Sequence, residues 1–140
     1  MKKAVVIGAR QAALVEAPTP QAKENWAVVQ VQAAPMCTEY KAFLSGQRNE
    51  YLGHEAAGVV VEVAQPGRVK VGDRVVVMPT TPCGKCALCV AGDYIHCEHM
   101  VDIARFTGSP EGNATYAQYV LKPDWLLPAI PDGLSYEQGS

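Results

Sequence analysis

The stretch PCGKCALC, residues 82–89, is followed eight positions later by Cys97 and has the highest density of potential metal ligands in the chain. The gaps between the four successive cysteines are two, two and seven residues. Four thiolates this close in sequence can surround one ion, and Zn²⁺ suits an all-cysteine tetrahedral site. The segment 83–97 therefore predicts a zinc-binding loop whose structural ligands are Cys83, Cys86, Cys89 and Cys97.

Two histidines flank the last of these cysteines. His96 and His99 lie one and two positions from Cys97, but four cysteines already complete a tetrahedral ligand set. We therefore expect both histidines to be solvated loop residues and Glu98 and Asp102 to be ordinary surface charges.

The composition of the 140 residues limits the class of protein. Hydrophobic residues make up 49% and charged residues 19%, which predicts one globular domain with its own core. A net charge of −2 argues against a nucleic-acid partner. No run approaches the roughly 20 apolar residues of a membrane span, and no secretory leader is evident, so we expect no membrane partner. The expected location is the cytoplasm, where the five cysteines would stay reduced.

Short apolar runs separated by glycines and prolines predict mainly β structure. Residues 26–33 alternate valine with glutamine, as in a half-buried strand, and further strands are predicted at 3–7, 13–17, 52–64, 75–78 and 114–121. Residues 38–44 predict a short helix capped by Thr38 and ended by Gly46. Ser135 is a good helix cap, but we expect too little chain after it for a helix. This pattern predicts a barrel-like β domain with almost no helix.

The run VVIG at residues 5–8 could be mistaken for the start of a dinucleotide-binding fold. Such a fold requires G-x-G-x-x-G between a strand and a helix. Here only Gly8 is present, followed by Ala9, Arg10 and Gln11. We therefore expect no residue of this chain to bind the phosphates of a dinucleotide.

A second group of potential ligands lies upstream and consists of Cys37, His54 and Glu55. Taken alone, Cys37 is more often a small buried hydrophobic residue and His54 a structural histidine. However, Cys37 follows a predicted strand and His54 begins one, and binding sites are commonly built at strand ends. Their positions therefore predict that the two side chains face one another in a cleft.

Several motifs resemble those of the zinc-containing medium-chain alcohol dehydrogenases. The cysteine gaps match the structural-zinc lobe of that family, and GHEAAG at 53–58 matches its glycine-histidine-glutamate signature. Further matches are VGDRV at 71–75, YAQYV at 116–120 with Pro123, and IPDGLS at 130–135. The resemblance implies that residues 1–140 form an N-terminal catalytic domain of GroES-like fold, a mainly β (α+β), partly open barrel carrying the zinc lobe 83–97. It also implies that the Rossmann cofactor domain is absent from this chain.

The same resemblance implies roles for the second group. Cys37 and His54 would hold a catalytic zinc, and Glu55 matches a family glutamate that lies near this metal and ligates it in some members. The metal would act as a Lewis acid on a small alcohol or carbonyl substrate, with hydride exchanged with NAD(P). Another family ligand falls beyond Ser140, so we expect an incomplete catalytic site and a chain that is inactive alone.

The residues after Cys37 depart from the family pattern. The family has a variable residue, then a serine or threonine that relays the substrate proton, then an aspartate that orients the zinc histidine. Thr38, Glu39 and Tyr40 occupy these three positions here. Each of the three could carry a proton, and the sequence does not choose among them.

Two further classes of protein remain as alternatives. One is a non-catalytic structural zinc module for protein interaction, against which stand the acidic balance and the second ligand group. The other is a co-chaperonin-like ring subunit, suggested by the shared fold alone. Measured zinc content separates the first alternative from a dehydrogenase, since a catalytic site adds a second, weaker zinc. The substrate, the choice of NAD or NADP, and the oligomeric state, including a homodimer, stay open.

Overall fold

A computed structural model describes residues 1–140, and antiparallel strands dominate it. The strands are β1 (Lys2–Gly8), β2 (Gln11–Glu16), β3 (Trp26–Ala33), β4 (Ala56–Val63), β5 (Arg74–Val77) and β6 (Tyr119–Pro123). The helices are short: α1 (Glu39–Ser45), α2 (Ala87–Val90), α3 (Ile103–Thr107) and α4 (Tyr136–Gly139), with 3₁₀ turns at Tyr94–His96 and Asp124–Leu126. None of them is long and apolar enough to cross a membrane. The mainly β prediction is confirmed, whereas the expectation of almost no helix is wrong, since four short helices are present.

The strands form two sheets that do not close into a complete barrel. β1 pairs with β2 as a hairpin, and the second sheet has the order β5-β4-β3-β6. Backbone hydrogen bonds tie the hairpin to loops of the larger unit, from Ala4 N to Tyr116 O at 2.8 Å and from Val6 N to Asn49 O at 2.9 Å. The predicted partly open barrel is therefore confirmed.

The central strand β3 is buried on both faces at its start, although the sequence predicts a half-buried strand. Val29 belongs to the main apolar core, whereas Val28 packs on the opposite face in a second cluster with Trp26, Ile103 and Leu121. Helix α3 covers this second face, where the Phe106 ring lies 5.0 Å from the Trp26 ring between centroids. The expected alternation of buried and exposed side chains is not seen at the start of β3, because α3 covers the face that was expected to contact solvent.

Helix α3 depends on a residue whose predicted role is wrong. Asp102 is not an ordinary surface charge, because its carboxylate accepts a hydrogen bond from the backbone N–H of Arg105 at 3.2 Å and caps the helix. The expectation that no helix follows Ser135 is also wrong. Ser135 and Gln138 exchange side-chain to backbone hydrogen bonds in a capping box, which stabilises the single turn α4.

Strands β4 and β6 both begin later than predicted, at Ala56 and Tyr119. The segments before them pair with one another instead. Thr115 N donates to Gly53 O at 3.2 Å, and Tyr116 N donates to Leu52 O at 2.9 Å. This pairing fixes the loop that precedes β4, which is the loop that carries His54 and Glu55.

Candidate metal centres

The four cysteines of the lobe 83–97 lie close together in space. Their Sγ atoms are 3.5 Å apart for Cys86 and Cys89, 3.9 Å for Cys86 and Cys97, and 4.0 Å for Cys83 and Cys89. All four lie within 4.8 Å of one another. Sulfurs at the corners of a tetrahedron with Zn–S bonds of about 2.3 Å are separated by about 3.8 Å. Both the donor type and the spacing therefore fit one tetrahedral Zn²⁺.

Short local turns bring these sulfurs together. Cys86 is the N-cap residue of α2 and Cys89 lies within that helix, so one turn separates the two thiols. The 3₁₀ turn Tyr94–His96 then returns the chain to Cys97. The Cys97 sulfur accepts hydrogen bonds from the backbone N–H groups of Cys83 at 3.3 Å and His99 at 3.4 Å. These two contacts fix the Cys97 sulfur beside the other three.

The thiols of the lobe differ in acidity. Hydrogen bonds from the backbone, first that of Lys85, lower the pKa of Cys83 to about 6. The backbone N–H of Cys89 is the main cause that lowers the pKa of Cys86. Burial raises the pKa of Cys89, which is 3% exposed, to about 12. A cation at the centre would offset this cost and allow all four groups to be thiolates together.

The core holds the chain on both sides of the lobe. The buried Lys122 donates from Nζ to the carbonyl oxygen of Thr80 at 2.6 Å, and burial lowers its pKa to about 8. Thr81 and Val101 exchange two hydrogen bonds, Thr81 Oγ1 to Val101 O at 3.1 Å and Val101 N to Thr81 O at 2.8 Å. The sequence gives no sign that Lys122 is buried, because a lysine in an alternating strand normally faces solvent.

The second centre brings together the predicted residues of the upstream group. Ligand atoms of Cys37, His54 and Glu55 lie within 4.8 Å of one another, which confirms that Cys37 and His54 are neighbours. Cys37 lies between β3 and α1, and the other two residues immediately precede β4. Cys37 is exposed, and 43% of the His54 side chain is exposed. A thiolate, an imidazole and a carboxylate are all zinc ligands, and the exposure leaves room for a further ligand from solution.

Glu39 connects the two loops of this centre. Its Oε1 lies 2.8 Å from His54 Nδ1, and its Oε2 accepts a hydrogen bond from Cys37 N at 2.9 Å. Its side chain is only 9% exposed. Because Nδ1 of His54 is engaged, Nε2 is the nitrogen left free to bind a metal. Of the three candidate proton carriers, Glu39 thus contacts the ligand residues, whereas Thr38 and Tyr40 are exposed.

Tyr116 is a residue of this centre that sequence reasoning missed. Its hydroxyl donates to Pro35 O at 3.0 Å, and its pKa is raised by burial and by the nearby acidic groups of Glu39, Cys37 and Glu55. The only signal was its place in the motif YAQYV, where nothing distinguished it from an ordinary strand residue. Gly53 makes room for it, since a Cβ there would lie 2.6 Å from Tyr116 Cδ1.

The sequence profile of the alcohol dehydrogenase GroES-like domain matches residues 23–132. The chain therefore belongs to this family, and the predicted resemblance is confirmed. The sorbitol dehydrogenase of Bacillus subtilis is 31% identical over 150 aligned residues, which cover 100% of this chain and 41% of the relative.

Solved structures agree with this assignment. An oxidoreductase/dehydrogenase of unknown specificity from Escherichia coli superposes with a TM-score of 0.80 at 27% identity, covering 99% of this chain and 42% of that one. Zinc dependent alcohol dehydrogenase 2 from Streptococcus pneumonia gives a TM-score of 0.75 at 28% identity, with coverage of 97% and 40%. The chain thus spans about two fifths of the length of the relatives it matches.

Proposed function

We propose that residues 1–140 are the catalytic domain of a zinc-dependent, NAD(P)-linked dehydrogenase that acts on small alcohols or polyols. The observation that carries this proposal is the convergence of Cys37, His54 and Glu55 within 4.8 Å, separate from the four-cysteine lobe. A structural zinc module has no need for this second centre. The name of the relative from Bacillus subtilis, sorbitol dehydrogenase, favours a polyol as the substrate.

Cys37 and His54 would hold the catalytic zinc, and Glu55, whose ligand atom lies within 4.8 Å of theirs, would be the third ligand. The centre we propose thus has the three protein ligands common in catalytic sites, instead of the incomplete set that the resemblance implies. When bound, this zinc supplies Lewis acid chemistry at the alcohol or carbonyl oxygen of the substrate. Glu39 fixes the His54 ring through Nδ1. The exposed centre leaves space on the solvent side for the substrate.

The residue that carries the substrate proton needs a side-chain oxygen that is not already held in other hydrogen bonds. Both carboxylate oxygens of Glu39 are engaged, one with His54 Nδ1 and the other with Cys37 N. Thr38 has an exposed side chain and makes no capping hydrogen bond to α1. We therefore assign the orientation of His54 to Glu39 and the carriage of the substrate proton to one of the two exposed hydroxyl side chains beside it, Thr38 or Tyr40.

Hydride transfer requires a nicotinamide, and residues 1–140 contain no glycine-rich turn between a strand and a helix. We therefore expect turnover only when a nucleotide-binding domain is joined to this one. The test is a fusion of residues 1–140 to the part of the Bacillus subtilis sorbitol dehydrogenase that this chain does not match. The fusion should reduce NAD⁺ or NADP⁺ with sorbitol, whereas the chain alone should not.

The control for this fusion is the Cys37→Ser variant, which keeps the four-cysteine lobe intact. It should lose about 100-fold or more in turnover, because removal of a metal ligand itself should cost at least the upper end of the range of about 10- to 100-fold seen when a ligand's supporting partner is removed. A fusion that folds, binds zinc at both centres and oxidises no alcohol would contradict the proposal. Equal activity of the Cys37→Ser fusion would contradict the assignment of this centre.

A further inference from the structure

Two loops carry the ligands of the second centre, and they approach each other from different parts of the chain. Cys37 follows β3, whereas His54 precedes β4. Glu39 joins them, but it begins α1 only two residues after Cys37, so it is not fixed independently of the Cys37 loop. To keep the distance between the two loops constant, a third part of the chain must contact both loops and be anchored elsewhere in the fold.

Tyr116 meets this requirement through three contacts. Its hydroxyl donates to the carbonyl oxygen of Pro35 at 3.0 Å, two residues before Cys37. Its backbone N–H donates to Leu52 O at 2.9 Å, two residues before His54. Its own carbonyl accepts a hydrogen bond from Ala4 N at 2.8 Å, which anchors it to the hairpin of β1 and β2.

The ring of Tyr116 also fills the space beside the histidine loop. Gly53 has φ +84° and directly precedes His54, and a Cβ on Gly53 would lie 2.6 Å from Tyr116 Cδ1. Pro35 has no backbone N–H, so its carbonyl oxygen is the only backbone group with which it can form a hydrogen bond. The phenol of Tyr116 is the side-chain donor that this carbonyl uses.

We propose that Tyr116 is a positioning residue that holds the Cys37 loop against the His54 loop. This inference rests on the proposed function for the identity of the centre, but the clamp itself is a property of the fold. Removing the hydroxyl releases the Cys37 loop while the ring still fills the space beside Gly53. The expected consequence is a looser loop and a weaker second metal site, with an unchanged four-cysteine lobe.

The test compares Tyr116→Phe with wild type and with the control Tyr119→Phe, whose ring packs against the Trp26 cluster instead. In protein whose lobe is saturated with zinc, hydrogen–deuterium exchange of residues 36–39 is measured first. It should be several-fold faster in Tyr116→Phe and unchanged in Tyr119→Phe. Exchange as slow in Tyr116→Phe as in wild type overturns the clamp, whether or not a metal binds.

The second measurement titrates Co²⁺ and records the thiolate charge-transfer absorption that the Cys37→Ser variant lacks. Tyr116→Phe should bind Co²⁺ about 10-fold more weakly, the lower end of the range for residues that support metal ligands. Faster exchange with unchanged Co²⁺ affinity would refute the positioning role. If wild type shows no signal beyond Cys37→Ser, the proposed metal function fails, and the exchange experiment still decides the clamp.

Discussion

The two candidate metal centres differ in how far apart in the sequence their ligands lie. The lobe takes its four cysteines from residues 83–97, and Cys89 is 3% exposed. The other centre joins Cys37 to His54 and Glu55 from two loops, and both Cys37 and much of His54 are exposed. Ligands that are close in sequence can be arranged by short turns. Ligands that are distant need polar contacts between loops, here those of Glu39 and Tyr116.

The largest effect should come from breaking the lobe. Cys89→Ser removes a buried ligand, and because structural metal binding is coupled to folding, the free energy of unfolding should fall by several kcal/mol. At one equivalent of zinc, which fills the lobe and leaves the second centre empty, Cys37→Ser removes only an exposed thiol and should change the free energy of unfolding by about 0.5 kcal/mol or less. Denaturant unfolding with and without a chelator measures both. Equal stability of wild type and Cys89→Ser in the presence of zinc would show that the lobe holds no structural metal.

The next effect concerns the lysine that holds the chain before the lobe. Burial lowers the pKa of Lys122 from 10.5 to about 8, so between these values the unfolded chain binds more protons than the folded one. Stability from this group therefore rises with pH from 8 to 10.5 and is at its lowest below pH 8. Relative to Lys122→Met, wild type should gain up to about 3 kcal/mol between pH 7 and 10.5. Denaturant unfolding at each pH, with zinc kept saturating, measures the difference. A difference that stays constant with pH would mean that Lys122 is not buried as a charged group.

A smaller effect is expected at the exposed centre. Glu39→Ala leaves His54 Nδ1 without its partner and should weaken zinc at this centre about 10- to 100-fold, as loss of a ligand's hydrogen-bond partner generally does. Glu16→Ala, at an exposed position of β2, is the matched control. Competition with a chelating dye should resolve two phases and show a change only in the weaker one. A change in the tighter phase would mean that the two centres are not independent.

The smallest effect is kinetic. With one equivalent of zinc, the lobe should fill first and leave Cys37 as the exposed, reactive thiol. Brief treatment with iodoacetamide followed by peptide mass mapping should then label Cys37 several-fold faster than Cys83. Labelling of the lobe cysteines as fast as Cys37 would show that zinc does not fill the lobe before the second centre.

The two centres also differ in how much of their structure can be predicted from the sequence. The geometry of the lobe is predictable from the spacing of its four cysteines, Cys83, Cys86, Cys89 and Cys97. One helical turn and one loop are enough to bring their sulfurs together. The neighbourhood of Cys37 and His54 was predictable from family motifs and strand ends. Their supporting contacts were not.

Long-range contacts account for the missed features. Glu39 was a candidate for carrying a proton, and only folding places it on His54 Nδ1. Tyr116 lies far along the chain from Pro35 and Gly53, and no local pattern connects these residues. Helix α3 escaped prediction because its cap, Asp102, begins a helix of one turn, which is too short for periodicity to show.

The number of zinc ions per chain, measured by elemental analysis and native mass spectrometry, distinguishes two independent centres from one. We expect two zinc ions in wild type at saturating metal. We expect one in Cys37→Ser, retained in the lobe, and loss of the tightly held ion in Cys89→Ser. A single zinc in wild type that Cys37→Ser leaves unchanged would mean that the second centre holds no metal.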